Sequence, residues 1–167
     1  MFYAYIENNE INGTGLVECL DTNVQSIEIS EEVYNNIDHY IWNGTDVVLN
    51  PDYEQEQRQK RQELFLQDFF NVEGYGYYRK QPKGYQSAVE SMNVLFNVAN
   101  ISKSLQAGLI IFYQEPDFTK PEQCTEEWLV EHQIIQPAMT LEQFMNLYVA
   151  FMTAWNAQEH NETSADN

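Results

Sequence analysis

The sequence predicts an α+β protein made of a small N-terminal antiparallel β module, a connector helix and a mostly helical C-terminal module. Three observations lead there. Short apolar runs separated by turn residues fill the first fifty positions, a long polar stretch follows Pro51, and apolar residues then recur at helical spacing. The expected boundaries are 1–50 for the β module, 51–70 for the connector, 71–158 for the helical module and 159–167 for a disordered tail.

Within the first module, Phe2–Glu7 reads as a strand turning at Asn8-Asn9, followed by a second strand ending near Leu20 and a third over Val24–Ile29. Ser30 before Glu31-Glu32 is an N-cap with acids in the first helical turn, and predicts a short helix to Ile37. His39–Trp42 and Thr45–Leu49 flank Asn43-Gly44, a pair that tolerates the positive φ angles of a type I′ hairpin turn. Pro51 suits a first helical position, and Glu54/Arg58 and Glu56/Lys60 sit at supportive i,i+4 spacing. Between Tyr53 and Leu64 there is no apolar residue, so this stretch has no face to bury and is expected to stand in solvent; Leu64–Phe70 then docks on the second module.

The second module carries a stripe of Ala88, Val89, Met92, Leu95, Phe96 and Ala99, a β-compatible run at Leu109–Tyr113, and a short helix capped by Thr125 through His132. Thr140-Leu-Glu-Gln143 is a capping-box pattern opening the strongest helix, with Leu141, Phe144, Met145, Tyr148, Phe151, Met152 and Trp155 on one side. That side is expected to be core, because exposing it would invite aggregation. The helix is expected to end near Ala157.

Charge divides the chain in the same way. Residues 1–57 hold twelve acids and no Lys or Arg, giving −12; residues 58–83 carry +3, and residues 84–167 carry −9. The total of −18 opposes generic binding to phosphate backbones and anionic membranes, so neither direct nucleic-acid binding nor membrane association is expected. With 11 Tyr, 9 Phe and 3 Trp the chain has enough bulky side chains to fold. The N-terminal segment turns acidic too early for a signal peptide, and no apolar run is long enough to span a bilayer. A cytosolic product, or part of a particle assembled inside the cell, is the expectation.

No residue pattern points to catalysis or to a cofactor. His39, His132 and His160 lie outside any zinc-motif spacing, and Cys19 and Cys124 form no Cys-x-x-Cys; their spacing leaves pairing open. Gly74-Tyr-Gly76 is an incomplete nucleotide fingerprint, with no strand expected before it and no Gly-Lys-Ser/Thr after it. The most distinctive segment is Val72–Tyr85, expected as a loop, where tyrosines, glycines and cations mix. Its Tyr75, Tyr77, Tyr78, Arg79, Lys80, Lys83 and Tyr85 are the candidate partner-binding residues. The competing reading is a connection whose tyrosines merely cover neighbouring helices. A second candidate surface is acidic: Glu7, Glu10, Glu18, Glu28, Glu31 and Glu32 in a basic-free head present charge in the manner of a phosphate array. Against it stands the general role of acidic surfaces in solubility.

Two stretches carry a resemblance. The head, from Tyr3-Ala-Tyr-Ile-Glu-Asn-Asn-Glu-Ile through Ile27-Glu-Ile-Ser-Glu-Glu-Val-Tyr to Tyr40-Ile-Trp-Asn-Gly-Thr-Asp-Val-Val-Leu-Asn-Pro-Asp-Tyr, resembles small proteins encoded beside tail-fibre or baseplate genes of bacteriophages and prophages. The body, with Phe69-Phe70, Gly76-Tyr-Tyr-Arg-Lys, Gly108-Leu-Ile-Ile-Phe-Tyr-Gln-Glu-Pro-Asp-Phe118 and Phe144, is similar to short phage proteins from the same neighbourhood. The resemblance is one of element pattern and brings no catalytic residue. It implies a non-enzymatic tail-associated or tail-assembly protein in the host cytoplasm or the virion, with a tail component as protein partner. It also fits, as the alternative, an acidic, anti-CRISPR-like accessory protein that inhibits a basic host nucleic-acid-binding enzyme.

Overall fold

A computed structural model describes residues 1–165, with side-chain environments through Gln158. Helix makes up 43% and strand 26%, which makes the chain α+β as the sequence predicts. It divides into two units, Met1–Arg58 and Gln59–Asn167.

In the N-terminal unit, β1 (Phe2–Glu7), β2 (Glu10–Gly15) and β3 (Gln25–Ile29) form an antiparallel sheet in the order β2-β1-β3. Asn8 and Asn9, with φ of 54° and 66°, make the tight turn between β1 and β2. Alternation puts Phe2, Ala4 and Ile6 on one face and Tyr3 and Tyr5 on the other. The helix α1 (Glu31–Asn35) packs Tyr34 on Phe2 at 4.9 Å between ring centroids, and the Ser30 hydroxyl accepts from Val33 N–H as the cap predicts.

On the opposite face, the Tyr5 ring lies across Gly13 and Gly15 of β2, and its hydroxyl donates to the Val17 carbonyl at 2.7 Å. A Cβ at Gly15 would stand 1.8 Å from the Tyr5 oxygen, so Gly15→Val must swing that ring away. The variant is expected to lose about 1–3 kcal/mol of N-terminal-unit stability, read by thermal unfolding followed at Trp42.

β4 (Tyr40–Trp42) and β5 (Val47–Leu49) pair as the expected hairpin, but its turn is longer than two residues. Trp42 pairs with Val47, and the Asn43 side-chain oxygen accepts from the N–H groups of Thr45 and Asp46 at 2.9 and 2.8 Å. That side chain offers the backbone an alternative to the type I′ turn, so only Gly44 takes positive φ.

The helix α2 (Pro51–Asp68) is continuous across the division between units. Phe69 and Phe70, expected to end it, instead open a strand. The C-terminal unit contains β6 (Phe69–Val72), β7 (Gly76–Arg79), α3 (Ala88–Ser102), β8 (Ser104–Leu105) and β9 (Ile111–Tyr113). α4 (Glu126–Glu131), β10 (Gln133–Ile135), β11 (Met139–Thr140) and α5 (Leu141–Ala165) complete it. The capping box is reciprocal: Thr140 Oγ1 accepts from Gln143 N–H, and Gln143 Oε1 accepts from Thr140 N–H. The helix passes the predicted end at Ala157 and reaches Ala165, since no Gly or Pro interrupts Gln158–Ala165. Of the tail expected to be disordered, residues 166–167 lie outside the described residues.

The helices of this unit surround an antiparallel sheet, in the order β10-β9-β7-β6, that the sequence reading did not predict. Its two faces separate two clusters. Phe70, Val72, Tyr78, Ile110 and Phe112 pack with Met92 of α3 and with Phe144, Leu147 and Phe151 of α5. Phe69 and Tyr113 pack on the other face with Phe65 of α2, Phe118 and Leu129 of α4.

Candidate partner-binding cleft

Gly76-Tyr-Tyr-Arg79 is strand β7 rather than loop, and the alternation of a strand sorts its side chains. Tyr78 points into the α3/α5 cluster, 6% exposed, with its hydroxyl 3.0 Å from Ser91 Oγ. Tyr77 and Arg79 point the other way. The Tyr77 ring meets Phe65 edge-on at 5.0 Å, and its hydroxyl donates to the Glu115 carboxylate at 2.9 Å. The Arg79 guanidinium lies 4.7 Å from the Phe69 centroid and 4.9 Å from that of Tyr113. Its Nε donates to the Tyr113 hydroxyl at 3.2 Å, and it pairs with Glu126. Arg79 is thus a clamp holding β6, β7, β9 and α4 together through cation–π and ionic contacts.

β7 and β9 are joined only at Tyr77↔Tyr113. Beyond that pair each strand continues with its outer neighbour, β7 with β6 and β9 with β10. Where their ladder stops a cleft of about 270 Å³ lies between Tyr78, Arg79, Pro82, Lys83 and Tyr85 on one side and Leu109, Ile111 and Tyr113 on the other. Gly84, at φ 88°, turns the chain so that Tyr85 lines it, and Tyr85 N–H donates to the Pro82 carbonyl. Lys83 is exposed and has no ion pair among the described residues. Half-exposed aromatic and aliphatic walls beside a cation suit a segment carrying an apolar side chain next to a carboxylate.

Of the seven predicted residues, Tyr78, Arg79, Lys83 and Tyr85 line this cleft. Tyr75 stacks on Phe112 at 5.6 Å, and Tyr77 belongs to the α2 side. Lys80 ties the strand end to both flanking helices, its N–H donating to the Asp68 carbonyl and its carbonyl accepting from Ala88 N–H. Tyr78 is a correction to the sequence expectation, because a side chain this buried is core and presents no ring to a partner. The opposite wall was missed, although Leu109, Ile111 and Tyr113 already share a period of two.

Burial, assisted by the hydrogen bond to Glu115 and the charge of that carboxylate, pushes the Tyr77 hydroxyl up to about 12; burial also raises Tyr78. A raised folded-state value favours the protonated native form, so the stability it contributes is complete below the unfolded value of 10.0 and is lost as pH climbs through about 12. Denaturation midpoints are expected to fall between pH 10 and 12, and to fall less in Tyr77→Phe. Equal slopes in the two proteins would remove the assignment.

The acidic candidates lie on the N-terminal unit. Glu10, Glu18, Glu28, Glu31 and Glu32 are exposed, while Glu7 is half-buried and accepts from the Asn12 side chain. Two histidines are occupied locally: His39 stacks on Tyr53 at 3.9 Å, and His132 stacks on Trp128 and hydrogen-bonds its carbonyl; the side chain of His160 lies outside the described environments. Cys19 and Cys124 are both free, and burial pushes the Cys124 thiol up, away from an activated nucleophile. Among the described residues no group of three or more His, Cys, Asp or Glu converges as metal ligands, and no helix is long and apolar enough to cross a membrane.

Fold and site together define an α+β protein of two units, one strongly acidic and the other carrying an aromatic cleft with cations. Comparisons with known protein families, curated proteins and solved structures find no match.

Proposed function

We propose that the chain is a non-enzymatic protein of a bacteriophage tail, or of tail assembly, that works through protein–protein contacts. The observation that carries this reading is the cleft between β7 and β9, whose half-exposed Tyr85 and Ile111 stand beside Lys83, an exposed cation with no ion pair among the described residues. The resemblance of the head and body to proteins encoded beside tail-fibre and baseplate genes supplies the setting. Purified tails should contain the protein, and a Lys83→Glu chain should be incorporated less. Tails that lack it, together with normal assembly and adsorption after deletion of its gene, would end this reading.

One observation favours a second reading, an acidic accessory protein that inhibits a basic host nucleic-acid-binding enzyme. None of Glu7, Glu10, Glu18, Glu28, Glu31 and Glu32 is ion-paired among the described residues, so their charge is available to a partner. This reading expects salt-sensitive binding that competes with DNA or RNA. Absence of competition at low salt would exclude it.

A further inference from the structure

The N-terminal unit holds a second cleft, of opposite chemistry. It measures about 410 Å³ and is lined by Asn9, Glu10 and Ile11 from the start of β2 and by Tyr40, Ile41 and Trp42 of β4. We propose that it receives an arginine side chain from a basic protein partner.

Each part of a guanidinium has a counterpart there. Tyr40 and Trp42, two residues apart on one strand, share a face, and both rings are half-exposed. Paired aromatic rings attract a planar cation through their quadrupoles, and arginine stacks on them better than lysine. Ile11 offers apolar surface to the methylene stem. Glu10 is exposed and its carboxylate has no hydrogen-bond or ion-pair partner among the described residues. It follows directly on the Asn8-Asn9 turn, whose positive φ angles and ladder pair Glu7↔Glu10 fix the backbone that carries it.

Electrostatics chooses between a cation and the other ligand that such walls suit, a neutral sugar. Stacking alone serves both. The surrounding 57 residues, however, hold twelve acids and no Lys or Arg. That field concentrates cations at the cleft and adds nothing to a neutral ligand. It also repels anionic sugars. The site goes beyond the tail-protein reading: it lies on the other unit, and it gives the chain one cleft for an acidic segment and one for a basic segment.

The test is titration of the isotopically labelled full chain with the peptide acetyl-Gly-Arg-Gly-Arg-Gly-amide, its lysine counterpart and a neutral chitin trisaccharide. Saturable shifts are expected at Asn9, Glu10 and the Trp42 indole, stronger with arginine than with lysine. Glu10→Gln should weaken binding about five-fold or more, while Asp52→Asn, which removes the same charge from outside the cleft, should change it less than about two-fold. Trp42→Leu, which keeps an apolar residue in the hairpin, should abolish the arginine preference. Equal losses in Glu10→Gln and Asp52→Asn would reduce the effect to the general acidic field and overturn the proposal. Saturation of the Trp42 signal by the trisaccharide and not by the peptide would overturn it in favour of a sugar site. Neither result would touch the presence of the protein in tails.

Discussion

Phe112→Ala is expected to cost the C-terminal unit about 3–5 kcal/mol, the largest loss from any single truncation considered. Phe112 is fully buried in β9, an inner strand held by β10 through Ile134↔Phe112. Its ring meets Tyr75 at 5.6 Å and Tyr78 at 5.4 Å, and shares a cluster with Phe144 and Phe151 of α5. A vacancy there closes poorly, because the strand on one side is fixed by its ladder and the helices on the other are already packed through bulky rings. Urea denaturation followed at Trp155, which packs on Phe70 in the same cluster, measures the loss. Phe112→Leu, which keeps most of the volume, should lose clearly less. Equal effects would mean that ring volume is not what this position supplies.

Local signals in the sequence proved readable where the physics is local. The caps at Ser30, Ser87, Thr125 and Thr140 are short-range hydrogen bonds, and the three expected at Ser30, Thr125 and Thr140 are formed. The stripe from Leu141 to Trp155 does face core through Phe144 and Phe151, with Leu147 between them as an additional buried member. The four-stranded sheet was hidden for the opposite reason. Phe69–Val72 and Gly76–Arg79 are four residues each, follow a helix without a break, and have glycines where the hairpin turns. Their third neighbour, Ile111–Tyr113, lies more than thirty positions further along. Nothing local distinguishes such a segment from an aromatic loop. The cleft was still less legible, since it exists because β7 and β9 stop pairing after one residue pair, and the end of a ladder leaves no mark in composition. Residue type pointed to part of its wall: Arg79, Lys83 and Tyr85 line the cleft.

Gly76→Ala is expected to lose about 2–4 kcal/mol, because two costs meet at one atom. Gly76 has φ of 121°, a conformation that residues with a Cβ rarely adopt. An added Cβ would also stand 3.0 Å from the Tyr113 carbonyl oxygen and 3.2 Å from Ile134 Cδ1. The first obstacle is backbone, so relief requires β7 to move from β9, and the Tyr77↔Tyr113 pair beside it is the only ladder contact between those strands. Loss of that pair should speed amide exchange at Tyr77 and Tyr113. It should also loosen the Tyr77–Glu115 hydrogen bond, so that the Tyr77 titration falls from about 12 toward the ordinary 10.0. Gly74 provides the contrast within the same hairpin. Its φ of 84° is also positive, but nothing lies within 4 Å of its would-be Cβ. Asn tolerates positive φ, so Gly74→Asn should cost less than about 1 kcal/mol and leave the Tyr77 titration in place. If the two variants lost equal stability, backbone conformation alone would explain Gly76, and its close approach to β9 would not be what holds the inner edge of the cleft.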